Sequence, residues 1–508
     1  MARHGRIDRG RRTASGIKQL PWLRLVNPYR PVEVLDEEAL QRIHDASMQI
    51  LEELGLEILS EEALARFTAA GARVDRESRR VRLDRDLVLE HVALAPKRFT
   101  LHSRNPERRL TVGAPHVNFC VVSSAPNCSD LDRGRRPGNF ADFANLLRLA
   151  QSLNIVHIVA GYPTEPIDLP PETRHLDCHY LHLTETDKVF GPYALGRVRV
   201  ADAVEMYRIA RGLTEDEVIA EPGLVTVVNT NSPLRVDGPM LDGLSEMARW
   251  GQAVIVTPFT LSGAMSPATL AGALAQQNAE ALGVIAYSQM VRPGAPVVYG
   301  GFTSNVDMRT GAPAFGTPEY AKAALAGGQL ARRYGLPYRS SNACAANAVD
   351  AQAAYESEMS VWAAVMGHAS IIKHGLGWME GGLVASYEKV ILDAEILQGL
   401  AEFLRPLEVT DETLGLDAIR EVGPGGHFFG AAHTLARYET AFYEPLLSDW
   451  RNFESWREGG AKTAVERANL LWKKVLAEFV APPVDVAVAD ALKDYVERRK
   501  REIARTAA

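Results

Sequence analysis

His116-Val-Asn-Phe-Cys-Val-Val-Ser-Ser124 is a short apolar run that closes on two hydroxyl residues, and a stretch of helical periodicity follows it. The same pattern returns seven more times: Ile155–Gly161, Lys188–Leu195, Leu224–Thr230, Ala253–Pro258, Pro296–Thr303, Tyr338–Asn342 and Ser370–Gly375. Runs rich in Val, Ile or aromatics, spaced by roughly 30 to 40 residues with helical stretches between them, are what βα units require. Eight units suggest an α/β fold, a closed (β/α)8 barrel of the TIM type. In that architecture chemistry sits where the C-terminal ends of the strands open, so the residues that end each run are the first candidates for function.

Outward from these runs, the chain divides into four parts. Residues 1–30 read as a flexible basic arm, with eight Arg or Lys against the single acid Asp8 and with Gly5, Gly10, Gly16 and Pro21 breaking any helix. Such an arm suits a neighbouring subunit better than it suits an organelle. Residues 31–115 read as an N-terminal α/β cap, opening on an amphipathic helix from Glu37 to Leu54 and continuing through small strands near Val81–Leu83 and Phe99–His102. Residues 116–385 hold the barrel. Residues 386–508 form a helical extension with helices at Ser386–Phe403, Lys462–Phe479 and Asp485–Ala504.

Composition narrows the class of protein. Of the 508 residues, 46 % are hydrophobic and 23 % charged, a globular balance. The formal charge of −7 argues against a nucleic-acid binder, whose phosphate contacts need a basic surface. Trp250–Ala279 carries no charge, yet Pro258, Pro267 and several hydroxyl residues interrupt it. We therefore read it as a buried strand, a loop and a buried helix rather than a membrane span. Four scattered cysteines make no disulfide framework, and the expected compartment is a reducing cytoplasm.

The ends of the runs supply Ser123, Ser124, Gly161, Tyr162, Pro192, Tyr193, Asn229, Asn231, Pro258, Phe259, Gly301, Phe302, Ser341, Asn342, His374 and Gly375. This mouth holds no Schiff-base lysine, no Ser-His-Asp set and no paired carboxylates. It is rich in aromatics and amides, the materials of a cage for a quaternary ammonium group. Glycines cluster at Gly300, Gly301, Gly375, Gly377, Gly381 and Gly382, and again at Gly423, Gly425 and Gly426, without the Lys and hydroxyl residue of a phosphate loop. His175, Cys178, His179 and His182 have the spacing of metal ligands on one helix face. That helix follows the second strand on the outer ring, so a core role outweighs a metal site.

Six stretches, taken together, carry a family resemblance: Ser262-Gly-Ala-Met-Ser-Pro, Arg292-Pro-Gly-Ala-Pro-Val-Val, Gly311-Ala-Pro-Ala-Phe-Gly-Thr-Pro-Glu, Asp350-Ala-Gln-Ala-Ala-Tyr-Glu-Ser, Trp378-Met-Glu-Gly-Gly-Leu-Val-Ala-Ser-Tyr-Glu-Lys and Glu421-Val-Gly-Pro-Gly-Gly-His-Phe. They resemble the trimethylamine methyltransferase family of MttB-like, corrinoid-dependent methyltransferases, over roughly Pro31 to Arg499. The resemblance implies a TIM barrel whose mouth holds a methylated amine while a separate corrinoid protein presents its cobalt. Trimethylamine enzymes of the family carry pyrrolysine just before the Asp-x-Gln motif. Here Asn342-Ala-Cys-Ala-Ala-Asn-Ala-Val-Asp350 holds standard residues only, with Asn347 nearest the equivalent position.

Members without pyrrolysine resemble demethylases of glycine betaine and related quaternary amines. A nitrogen with four carbon substituents leaves neutral, so it needs neither the proton nor the Lewis acid that thiols and alcohols require. The expected function is therefore methyl transfer from a glycine betaine-like amine to the Co(I) corrinoid of a partner protein, by a homo-oligomeric chain that binds no metal itself. Asn347, His374 and Glu380 are the candidate catalytic residues. Tyr193, Phe302 and Trp378 are cage candidates, Asn229 and Asn231 would orient the polar end, and Glu388, with Glu380, would supply negative field. Gly301, Gly375, Gly425 and Gly426 are candidates for the corrin side. Two alternatives stand beside this reading: a zinc-dependent methyltransferase for a thiol or methoxy compound, and a non-catalytic betaine-binding protein.

Overall fold

Segments such as Val225-Thr-Val-Val228 and Ala253-Val-Ile-Val256 are apolar on both sides of the chain, which suits strands covered on both faces. They form part of a curled seven-stranded sheet at the centre of a mixed α/β fold. The structure, a computed structural model, describes residues 17–507. The sheet contains β1 (Leu25–Val26), β2 (His116–Val121), β3 (Val225–Val228), β4 (Ala253–Val256), β5 (Val297–Gly300), β6 (Tyr338–Ser341) and β7 (Ile371–Leu376), in the spatial order β1-β2-β7-β6-β5-β4-β3. All neighbours are parallel except β1, which pairs antiparallel with the start of β2.

Six of the eight expected runs thus become sheet strands, and two do not. Ile155–Gly161 and Lys188–Leu195 contribute only isolated parallel bridges, Cys120 to Ile158, Ile158 to Val189, and Phe190 to Leu224. Prolines explain the brevity. Pro163 stands two residues beyond the first run, Pro192 interrupts the second, and neither can donate a ladder hydrogen bond; Gly191 lies so close to Val225 that a Cβ there would stand 1.8 Å from its carbonyl oxygen.

The helices include α1 (Glu37–Gln49), α2 (Arg174–Glu185), α3 (Leu270–Val291), α4 (Tyr387–Phe403), α5 (Ala464–Ala477) and α6 (Val486–Ala507). The expected first helix runs to Leu54, but its last five residues are wound as a π-type turn that ends at Gly55, φ +71°. The cap lies against α3, where the Ser47 hydroxyl donates to the Ala275 carbonyl at 3.0 Å and accepts from the Asn278 amide at 2.9 Å. The charge-free stretch resolves into β4, a short strand at Phe259–Ser262, and α3, whose middle is buried all round. Among the described residues, no helix is long and apolar enough to cross a membrane.

The basic arm needs correction from residue 17 onward; its first 16 residues lie outside the described residues. Ile17 and Leu25 are buried, and the Asn27 amide donates to the Val365 carbonyl at 2.9 Å. Trp22 packs on His157, whose Nε2 meets the Leu23 carbonyl at 2.9 Å. This segment covers the N-terminal end of the sheet, opposite the end where strands open. Apolar residues at intervals of two or three, rather than charge, mark it: Leu25 lies in the core and Leu20 and Leu23 pack against it.

Candidate functional site

The C-terminal ends of the strands converge on a cavity of about 250 Å³. Ser123 and Ser124 follow β2, Gly161 and Tyr193 come from the two bridged runs, Asn229 follows β3, and Thr257 and Phe259 follow β4. Phe302 follows β5, Arg339 sits within β6, Lys373 and His374 sit within β7, and Trp378 follows β7. Ligand pockets generally start near 300 Å³, so this one suits a ligand of few heavy atoms.

Two consecutive residues, Lys373 and His374, both face this space, which a regular strand forbids. The register of β7 against β2 shifts between Ile372 and Leu376, and His374 has φ +55°. A bulge re-aims side chains in this way, and a left-handed non-glycine residue costs about 1–3 kcal/mol. The expectation of a mouth without lysine is therefore overturned: Lys373 faces in by ordinary alternation from the interior Ile371, and the bulge brings His374 to the same space.

Lys373 is buried and donates one hydrogen bond, to the Ala160 carbonyl at 3.0 Å. Burial, with some help from Arg339, pushes its ammonium down to about 8. Arg339, 2 % exposed, lies 5.3 Å from the centroid of the Phe302 ring and donates to the Gly301 carbonyl at 3.4 Å, while its Nε has no partner. Burial lowers it to about 10. No Asp or Glu lies among the residues that line the cavity. The site thus carries two cations without a facing carboxylate, where the sequence pointed to negative field.

An aromatic wall stands beside them. His374 and Trp378 stack with centroids 5.2 Å apart at 23°, and Phe302 meets Trp378 edge-on at 5.9 Å. Burial first, then Lys373 and Arg339, hold His374 well below its ordinary value, so its ring is neutral near pH 7. Tyr193 closes another side. Its hydroxyl accepts from the Tyr162 N–H at 3.2 Å and lies against Glu165, whose carboxyl is raised by burial.

Local sequence sets these rings. Gly382 has φ +102°, and a Cβ there would stand 2.7 Å from the Trp378 ring; at Gly161, φ +83°, a Cβ would stand 3.2 Å from the Tyr193 ring. The turn that carries Trp378 is fixed from below, where the Gly377 N–H donates to Asp393 at 2.8 Å and Asp393 pairs with Lys389 at 2.5 Å, both fully buried. The spacing of Lys389 and Asp393, four apart on α4, makes that pair.

Of the residues expected at the site, Tyr193, Asn229, Phe302, His374 and Trp378 come together at the cavity, and the others do not. Asn231 is exposed, and its side-chain oxygen accepts from the Asp237 N–H at 3.0 Å. Asn347 is exposed on the loop after β6. Glu380 pairs with Arg135 at 3.0 Å. Glu388 is buried elsewhere, accepting from Trp472 at 2.8 Å, Asn469 at 2.9 Å and the Leu131 N–H at 3.1 Å, and so ties α5 to α4. Gly301 and Gly375 are packed against protein, with a Cβ at Gly375 meeting the Cys120 carbonyl at 2.9 Å. Gly425 and Gly426 sit on an exposed loop.

Sequence reasoning missed Arg339 and Lys373. The available signal was a cation in the middle of a run otherwise fit for burial. The His175 group is part of the core of α2: His175 meets Asp202 at 2.9 Å, and His182 meets the Cys178 and Val159 carbonyls at 2.8 and 2.9 Å. Asp202 in turn accepts from Tyr495 and Arg499 of α6, each at 2.7 Å. Among the described residues, no group of three His, Cys, Asp or Glu could hold a metal ion.

Comparison with known proteins adds a second line. A family model described as trimethylamine methyltransferase (MTTB) matches residues 2–504. A glycine betaine methyltransferase of Desulfitobacterium hafniense (strain Y51) is 37 % identical over 471 residues, covering 92 % of this chain and 98 % of that one. A trimethylamine methyltransferase MttB of Desulfitobacterium hafniense (strain DSM 10664 / DCB-2) is 30 % identical over 469 residues, covering 92 % and 94 %. A crystal structure of a hydroxylamine MtmB complex aligns over 90 % of this chain and 97 % of that one, with a TM-score of 0.45 and 12 % identity.

Proposed function

This chain belongs to the trimethylamine methyltransferase family, and on that premise we propose that it takes a methyl group from a quaternary amine of the glycine betaine type and passes it to the Co(I) corrinoid of a partner protein. The observation that carries the reading is the ring set of Trp378, His374, Phe302 and Tyr193 around a cavity of about 250 Å³. Aromatic faces stabilise a desolvated cation by about 0.5–2 kcal/mol each. The relative named glycine betaine methyltransferase points the same way.

The chemistry asks little of the protein beyond placement. The nucleophilic acceptor approaches the methyl carbon opposite nitrogen, the C–N bond breaks, and its electron pair stays on a nitrogen that leaves as a neutral tertiary amine. No proton moves. Trp378, Tyr193 and the neutral His374 ring hold the ammonium and keep water from it, and orientation supplies the larger part of the rate. One face of Phe302 is already covered by Arg339, so Phe302 serves mainly to buttress the Trp378 ring, which it meets edge-on. Asn229 stays at the rim; Asn347 and Glu380, on the loops after β6 and β7, belong to the approach of the partner.

We also propose that the sheet closes as an eight-stranded (β/α)8 barrel. The three parallel bridges between β2 and β3 support closure, since they fall in order at the two missing strand positions. The test of function is direct: incubate the protein with a reduced corrinoid protein and glycine betaine, follow the cobalt spectrum, and measure dimethylglycine by mass spectrometry. Methylated corrinoid with one dimethylglycine per methyl group is expected. No methyl transfer from any quaternary amine would overturn the proposal.

A further inference from the structure

The charge of the cavity does not suit a simple quaternary ammonium ion. Arg339 and Lys373 both line it, and no acidic residue does. In strand register Arg339 stands opposite Ile371, so Lys373 lies two residues further along the adjoining strand and the two cations share one side of the cavity. Lys373 spends one of its three N–H groups on the Ala160 carbonyl, and the Arg339 Nε is buried without a partner. The charged and titratable groups around them are Cys120, Tyr320, Tyr338 and His374, none of them a carboxylate. Holding two ammonium-type charges in a buried site without an anion is costly, and burial is not repaid until an anion arrives.

The adjoining wall has a different character. Trp378 and Tyr193 supply electron-rich rings to the lining, and the Tyr193 hydroxyl rests against the Glu165 carboxyl. A ligand that matches both sides carries a fixed positive group at one end and an anion a few bonds away. Choline or tetramethylammonium would add a third cation and leave the first two uncompensated.

We infer that Arg339 and Lys373 form the subsite that binds the carboxylate of the betaine and so select a zwitterion over a plain quaternary cation, while the adjoining aromatic wall holds the ammonium. The inference rests on the quaternary-amine reading and deepens it. A guanidinium fork grips a carboxylate through two parallel hydrogen bonds, and the ammonium adds a third; such charge-assisted bonds are the strong ones. The same grip fixes which methyl group points out of the mouth, because the ligand is held at two ends rather than one.

Isothermal titration calorimetry without corrinoid tests this by comparing glycine betaine, its amide, which keeps the ammonium but lacks the carboxylate, and choline on the wild-type protein. Glycine betaine is expected to bind about tenfold or more tighter than either of the others. Arg339→Gln and Lys373→Met should each lower betaine affinity by about tenfold or more, Arg339→Lys should restore part of it, and choline affinity should hold or rise in Lys373→Met. Circular dichroism shows whether each variant folds, and the wild-type comparison depends on no variant. Amide or choline binding within about twofold of betaine would overturn the inference, as would the absence of binding by all three. The methyl-transfer assay separates the two proposals: equal transfer from choline and betaine sinks the zwitterion and spares the methyltransferase, whereas selective betaine binding without methyl transfer does the reverse.

Discussion

Lys373→Met should make the free protein more stable. The lysine is buried in a strand, and its ammonium stands at about 8 in place of the ordinary 10.5. That difference corresponds to about 3 kcal/mol of disfavour for the charged form. The folded state binds fewer protons than the unfolded state between about pH 8 and pH 10.5, so stability rises with pH across that window. Below it the full penalty applies, and near pH 7 the methionine variant escapes it. Against this stands the hydrogen bond to the Ala160 carbonyl, 3.0 Å long, whose loss costs about 1 kcal/mol. The net gain is about 2 kcal/mol, or about 1–3 °C in Tm for a chain of this size. Thermal unfolding of both proteins, near neutrality and near the top of the window, measures it. The variant should melt higher near neutrality, with the gap closing as pH rises. A variant that melts lower near neutrality, or a gap independent of pH, would refute the reasoning.

Other outcomes follow from neighbouring contacts. Betaine affinity, measured by calorimetry against pH, should fall as pH rises through about 8, because the free Lys373 loses its proton there; an affinity flat across that range would contradict it. Trp378→Ala should weaken betaine binding by about 0.5–2 kcal/mol, and Trp378→Phe by less, both read by calorimetry. Asp393→Ala leaves the buried Lys389 unpaired and should destabilise the fold by about 3–5 kcal/mol in denaturant titration, with a change in tryptophan fluorescence as the Trp378 turn loosens. Glu388→Ala frees three donors, two from α5, and should cost about 2–4 kcal/mol in the same titration while betaine affinity stays as it was.

The parallel sheet was legible because its strands are buried on both faces and read as plain apolar runs. The two runs that form bridges only carry the same apolar signal, and what shortens them, proline and a close backbone contact at Gly191, depends on neighbours distant in sequence. The aromatic part of the site was legible for a similar reason: Tyr193, Phe302, His374 and Trp378 all fall at or just beyond strand ends. Its cations were not, since reading strand ends passes over Arg339, one residue into β6, and Lys373, which faces in two residues after the interior Ile371 and before the strand end. The acids misled for a physical reason. Glu380 and Glu388 lie near the eighth run in sequence, but one is held by Arg135 and the other by three donors, two from a helix some eighty residues on. The basic arm misled because charge hid a minority of apolar residues, Ile17 and Leu25 among them, that decide where it packs.

The most direct measurement places glycine betaine and trimethylamine in parallel with this protein and a reduced corrinoid protein, and follows methyl-cobalt formation by its visible spectrum. Rapid methylation from glycine betaine and none from trimethylamine is the predicted result. Methylation from trimethylamine with glycine betaine inert would contradict the account.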